Sequence, residues 1–142
     1  MKKNIGVLNL ILIFIVFIVL DQLTKQWAIE NLFIEFKSIE VTSFLSMTPV
    51  WNKGISFGFF QDSGELGRYG FTAFAFIMGA WLIWSSFKLP RYSSFGFMLI
   101  SSGAIGNAID RIIYGKVVDF IDFHINDFHW PAFNLADTII FI

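Results

Sequence analysis

Three charge-free apolar runs pattern this chain: Asn4 to Leu20, Tyr69 to Phe87 and Tyr92 to Ile109. Each has about the length that crosses a ~30 Å hydrocarbon core at 1.5 Å per helical residue. A fourth run starts at Leu135, is broken by Asp137 and stops at Ile142. The residues after Pro131 reach only about 16 Å as helix, so this fourth helix reads as cut short. Between the first two runs, residues 36–60 alternate in places, are rich in β-branched and aromatic types, and are punctuated by Pro49, Gly54 and Gly58. That pattern predicts a small bent sheet, and Val117 to Phe123 adds a strand-like run.

The expected architecture is a membrane all-α core, a four-transmembrane-helix bundle carrying a small extracytoplasmic β-sheet. Residues 1–142 form a single membrane domain. Its spans lie at about 4–27, 69–87, 92–113 and 134–142, and its β-rich segments at about 36–60 and 116–125. The polar stretch Gln61 to Gly67 reads as a loop that could act as a lid. The first run continues into Asp21-Gln22-Leu23-Thr24-Lys25-Gln26-Trp27 with no small-x-small cleavage pattern, so it is expected to stay as an uncleaved span.

Composition supports the membrane reading. The 142 residues are 56% hydrophobic, above the 45–50% of soluble domains. A net charge of −1 offers no basic surface for nucleic acid. The absence of cysteine excludes disulfides, thiolate metal sites and a cysteine nucleophile. Lys2 and Lys3 precede the first span, and Lys88 and Arg91 flank the turn between the second and third. The positive-inside rule puts these on the cytoplasmic side, and the segments 28–68 and 114–133 on the other.

The chemistry is concentrated from Asn107 onward, where Asn107, Asp110, Arg111, Asp119, Asp122, Asn134 and Asp137 interrupt apolar sequence. Ionisable groups in or beside a span are costly, roughly 2.5–3.5 kcal/mol at a helix centre. Ser101 to Ala108 is a run of small residues that lets helices approach and could admit acyl chains between them. Arg111 is expected to reach lipid headgroups or a neighbouring carboxylate. Asn134 is a plausible helix cap with Asp137 in the first turn, for which the plain reading is a capping carboxylate. Asp21 and Lys25, at i and i+4, share a helix face. They read either as an interfacial ion pair with Lys25 snorkelling or as a charged wall of a site. Asn52-Lys53-Gly54 reads locally as a turn.

Asp119 follows the exit of the third helix and Asp137 precedes the entry of the fourth, so both lie on one side and can meet. At ~4 Å and an effective dielectric of about 20, two carboxylates repel by about 4 kcal/mol, roughly three pK units. One proton is then shared. Such a pair can activate water while polarising a carbonyl, or it can handle ions or protons in a membrane transporter. A metal site built on Asp119, Asp122, His124, Asp127 and His129 is a weaker rival. A serine–lysine hydrolase using Lys25 with Ser56 or Ser102 is weaker still.

Five motifs in order carry a resemblance. They are Asp21-x-x-Thr24-Lys25, Asn52-x-Gly54-x-Ser56-Phe57-Gly58, Gly103-Ala104-x-Gly106-Asn107-x-x-Asp110-Arg111, Val118-Asp119-Phe120 and Phe133-Asn134-x-Ala136-Asp137. Together they resemble the lipoprotein signal peptidases (type II signal peptidases), bacterial inner-membrane aspartic proteases. Ser102 departs from the family's frequent second glycine.

The resemblance implies removal of the signal peptide from prolipoproteins, with cleavage before a cysteine that carries diacylglycerol. It also implies Asp119 and Asp137 as the catalytic pair. Asp21, Lys25, Asn52, Gly54, Asn107, Asp110, Arg111, Asn134 and Ala136 become residues that shape or support the site. No metal or other cofactor is expected. The expected partners are the diacylglyceryl prolipoprotein and the lipid bilayer, with no nucleic acid and with the enzyme a monomer. Asp122, Asp127, His124 and His129 then fall to outer-loop residues. Asp137, near a helix N-terminus, is expected to be the ionised partner and Asp119 the proton donor.

Overall fold

A computed structural model of the protein describes residues 6–54 and 64–142. The chain is mostly helical, with one small antiparallel sheet. Helix α1 (Val7–Ala28) runs on into a π-helical turn, Ile29–Phe33. Strands β1 (Ile39–Thr42) and β2 (Leu45–Asn52) follow, then helices α2 (Gly64–Ser86) and α3 (Arg91–Tyr114). Strands β3 (Val117–Ile125) and β4 (Phe128–His129) lead to a short helix α4 (Leu135–Phe141). The sheet order is β1-β2-β3-β4. Two helical stretches, Val7–Phe33 and Gly64–Ser86, are long and apolar enough to cross a membrane.

The strand expectation over 36–60 holds for 39–52, whereas residues 55–60 lie outside the described residues, as do Lys2 and Lys3. Helix α2 corrects the span expected at 69–87. It begins at Gly64, so residues 64–67 are its first turn and not a loop. The charge on Arg68 does not stop the helix, because its guanidinium has work to do across the bundle. Arg68 Nε donates to Arg111 O at 2.8 Å and Nη2 to Ile112 O at 2.9 Å. Those are carbonyls of the last turn of α3; Arg111 O also accepts the Gly115 N–H at 3.1 Å. Gly115, at φ +73°, ends that helix in the left-handed conformation.

The small residues of α3 are used up by helix contacts. Ser101 Oγ donates to Gly79 O on α2 at 2.9 Å. A methyl on Gly103 would sit 2.5 Å from Ala136 O, and one on Gly106 would sit 2.5 Å from Asp21 Oδ2. The face expected to admit acyl chains is therefore filled by α4 and α1. Close approach of this kind lets polar groups on three helices bond directly. At the sheet end, Ala28, Leu32 and Phe33 pack against Val118 and Phe120. This apolar cluster seats β3 on the end of α1.

Candidate active site

Asp119 lies on β3, paired with Val50 of β2. Beyond the β3–β4 hairpin the chain returns along β3. Phe133 bridges Ile121, with Phe133 N donating to Ile121 O at 3.1 Å and Ile121 N to Phe133 O at 2.8 Å. This brings Asn134, the next residue, beside Asp119. Asn134 then caps α4 in a full capping box: Asp137 N donates to Asn134 Oδ1 at 3.0 Å, and Asn134 N to Asp137 Oδ2 at 3.2 Å. Its amide also donates to Asp119 Oδ1 at 2.7 Å and to Asn107 Oδ1 at 3.0 Å. One asparagine thus holds both aspartates. The cap expected for Asn134 is present, and so is its link to the site.

The other helpers converge on the same point. Asn107 Nδ2 donates to Asp137 Oδ1 at 2.8 Å. Asn52 Nδ2 donates to Asp119 Oδ2 at 3.0 Å, while its Oδ1 accepts from Gly54 N at 3.0 Å. The turn expected of Asn52 is present, and it aims the amide at Asp119. Gly54 O in turn accepts from Arg111 Nη2 at 2.9 Å. Arg111 is buried rather than reaching headgroups, and its Nε has no hydrogen-bond partner among the described residues.

Lys25 corrects the snorkelling expectation. It is 2% exposed, and its Nζ lies 2.9 Å from Asp21 Oδ2, Asp110 Oδ2 and Asn107 Oδ1. An ammonium has three donors and no acceptor, so this set saturates it. Lys25 is therefore committed to carboxylates and not to a serine. Ser102 Oγ donates to Leu99 O, and Ser56 lies outside the described residues. Asp21 Oδ1 accepts from Ala136 N at 2.9 Å and Asp110 Oδ2 from Val118 N at 3.1 Å. Gln22 is a member that sequence reading missed; its Nε2 donates to Asp110 Oδ1 at 3.0 Å. Its position beside Asp21 is the only signal the sequence offered.

The reading of Asp122, His124 and His129 as loop residues is also corrected. Asp122 and His124 are on β3 and His129 is on β4; Asp127 alone sits in the hairpin turn. Asp122 is buried because Thr48 Oγ1 donates to it at 3.2 Å and His129 Nδ1 lies 2.9 Å away. Among the described residues, no three His, Asp or Glu side chains gather to hold a metal ion.

Burial dominates the electrostatics of Asp119. Loss of water and the neighbouring Asp137 charge together raise its carboxyl from an ordinary 3.8 to about 7, against the two amide donors and Lys25. Near neutrality it holds or releases a proton with equal ease, as general acid–base chemistry requires. Two cavities are bordered by Asn52 and Asp137. One, of about 1000 Å³, is walled by aromatic side chains including Phe44, Phe123, Trp130 and Phe133. The other, of about 220 Å³, lies between α2 and α3.

Residues 13–142 match the family model for signal peptidase (SPase) II. A lipoprotein signal peptidase from Cupriavidus necator is 42% identical over 125 residues, covering 87% of this chain and 71% of that protein. One from Psychromonas ingrahamii is 40% identical, covering 89% and 74%. A solved bacterial membrane enzyme superposes with a TM-score of 0.82 at 31% identity, covering 99% of this chain and 85% of that one.

Proposed function

The chain belongs to the signal peptidase II family, and from that premise we propose that Asp119 and Asp137 are its catalytic dyad. The protein is an aspartic endopeptidase of the bacterial membrane that removes signal peptides from prolipoproteins. The transporter alternative is not favoured by this membership. The observation that carries the dyad is Asn134, whose one side chain binds Asp119 Oδ1 and caps the helix turn of Asp137.

In this reading Asp137 is the ionised partner, held by Asn107 Nδ2 and the Asn134 N–H. Asp119 carries the shared proton. Asp137 removes a proton from water as its oxygen attacks the scissile carbonyl, and Asp119 gives its proton to the carbonyl oxygen. The C–N bond then breaks: the amine leaves with the proton held by Asp137, the carbonyl reforms, and Asp119 takes back the proton of one of the two hydroxyls. Asn52, Asn107, Gly54 and Arg111 shape the pocket around these atoms. The bond cut lies before a diacylglyceryl cysteine, and the aromatic cavity beside Asp137 offers apolar wall to such a lipid-bearing chain.

In this reading the single membrane domain is a four-helix bundle in which the seven-residue α4 enters the bilayer as the fourth helix. Its N-terminus is cytoplasmic, its sheet lies on the opposite side, and it works as a monomer. Cleavage of a lipidated precursor by purified enzyme tests the dyad. Asp119→Asn and Asp137→Asn should each abolish turnover while still inserting, with chelator having no effect on the parent. Normal turnover by either variant would overturn the assignment, and a precursor without lipid should be left uncut.

A further inference from the structure

Asp119 and Asp137 stand on different elements, and each is approached from behind by another carboxylate. Asp110, on α3, accepts the N–H of Val118, the residue before Asp119. Asp21, on α1, accepts the N–H of Ala136, the residue before Asp137. The two anchors therefore stand in the same register to the two aspartates. Both are fully buried, at 0% exposure. They share one cation, Lys25, at 2.9 Å each, and one amide, Gln22, at 3.2 and 3.0 Å. Each carboxylate faces two ways: Asp21 turns Oδ1 to the backbone and Oδ2 to Lys25, while Asp110 offers Oδ2 to both and Oδ1 to Gln22.

We propose that Asp21 and Asp110 are a matched pair of positioning residues, tied together by Lys25, that fix the spacing of Asp119 and Asp137 from behind. The proposal rests on the reading of those two aspartates as the dyad. Three buried charges are an expensive way to hold two backbone N–H groups, since neutral side chains accept such bonds too. What the charges add is the tie: a carboxylate can serve an N–H and an ammonium at once, so the start of β3 and the start of α4 are referred to one atom, Lys25 Nζ. Gly106 belongs to the same device, because a methyl there would displace Asp21 Oδ2. Placement matters on this scale, since a shift of about 1 Å at a catalytic group can cost about 10²-fold in rate.

The test compares Asp21→Ala and Asp110→Ala with Asp21→Asn and Asp110→Asn on a lipidated precursor. The alanine variants lose the acceptor and should lose about 10²-fold in kcat with KM unchanged. The asparagine variants keep an acceptor oxygen and should retain at least about 10-fold more kcat than their alanine counterparts. They should also move the alkaline limb of kcat/KM downward, because Lys25, whose charge already eases the ionisation of Asp119, is then less neutralised by its partners. A merely structural role would leave that limb in place.

Equal losses in the alanine and asparagine pairs with an unmoved limb would overturn the proposal, as would a loss confined to KM. Should an alanine variant fail to fold, the limb position of the asparagine variants decides alone. Asp119→Asn run in parallel separates the two levels. If it cleaves, the dyad reading falls; if it is inactive while Asp21→Ala keeps full kcat, only the positioning falls.

Discussion

Asp119→Asn should trade activity for a stability that improves with pH relative to the parent. Asp119 is 1% exposed, and burial is the first cause that lifts its carboxyl from 3.8 to about 7. In the unfolded chain the same carboxyl ionises near pH 4. Between about pH 4 and pH 7 the folded state therefore keeps a proton that the unfolded state has lost. The sign follows: stability from this group is fully present below pH 4 and falls as pH rises, by about 1.36 kcal/mol per unit. From pH 5 to pH 8 the loss comes to about 3 kcal/mol, and it levels off above pH 7, where both states are ionised.

An amide at this position has no such slope. It does carry a fixed cost, because Asn52 Nδ2 and Asn134 Nδ2 each donate to a separate carboxylate oxygen. An amide offers one acceptor, so one of those bonds is lost, at about 1–2 kcal/mol independent of pH. The variant should be close to the parent in stability at pH 5 and the more stable protein at pH 8. Melting temperatures in detergent across pH 5–8 measure this. The difference, variant minus parent, should climb with pH and flatten beyond pH 7. A difference that stays constant across the series would refute the reasoning, because Asp119 would then carry the same charge in both states throughout.

Two further changes test the packing and the cap. Gly106→Ala places a methyl 2.5 Å from Asp21 Oδ2; it should cost about 1–3 kcal/mol of stability, read as a lower melting temperature, and reduce cleavage with it. Asn134→Ala removes the cap and should cost about 1 kcal/mol, whereas Asn134→Ser restores a capping oxygen and hence the melting temperature, but not the amide that reaches Asp119. Cleavage should stay impaired in both, and recovery of kcat in the serine variant would mean that the amide contact is idle.

The helices were legible because a span advertises itself by what it omits: stretches without charge locate the bodies of α1 and α3, which run on past Leu20 and Ile109 to Ala28 and Tyr114. Arg68 misled for the same reason, since a charge ends an apolar run in sequence but not a helix whose guanidinium finds carbonyls on its neighbour. Asn134 and Asp137 could be placed locally, as a cap and its N3 partner lie in one turn. Lys25 could not. An i, i+4 pair with Asp21 looks the same in solvent as in a core, and its further partners Asn107 and Asp110 come from another helix. Asp122 was hidden by its company: aspartates and histidines so close together suggest solvent, yet β-pairing turns Asp122 toward Thr48 on the neighbouring strand.

The bond between Ala136 and Asp21 joins positions 115 apart, which ties competence to the order of synthesis. At about 5–20 residues per second, roughly 6–23 s separate the emergence of Asp21 from that of Ala136. Lys25, Asn107, Asp110 and Asp119 emerge in turn during that interval, without Asp137 beside them. On the proposed dyad, a half-made enzyme has no working pair. The protease would then be silent during its own insertion, when its first helix is itself an apolar segment newly delivered to the bilayer, and able to cut only once α4 has docked.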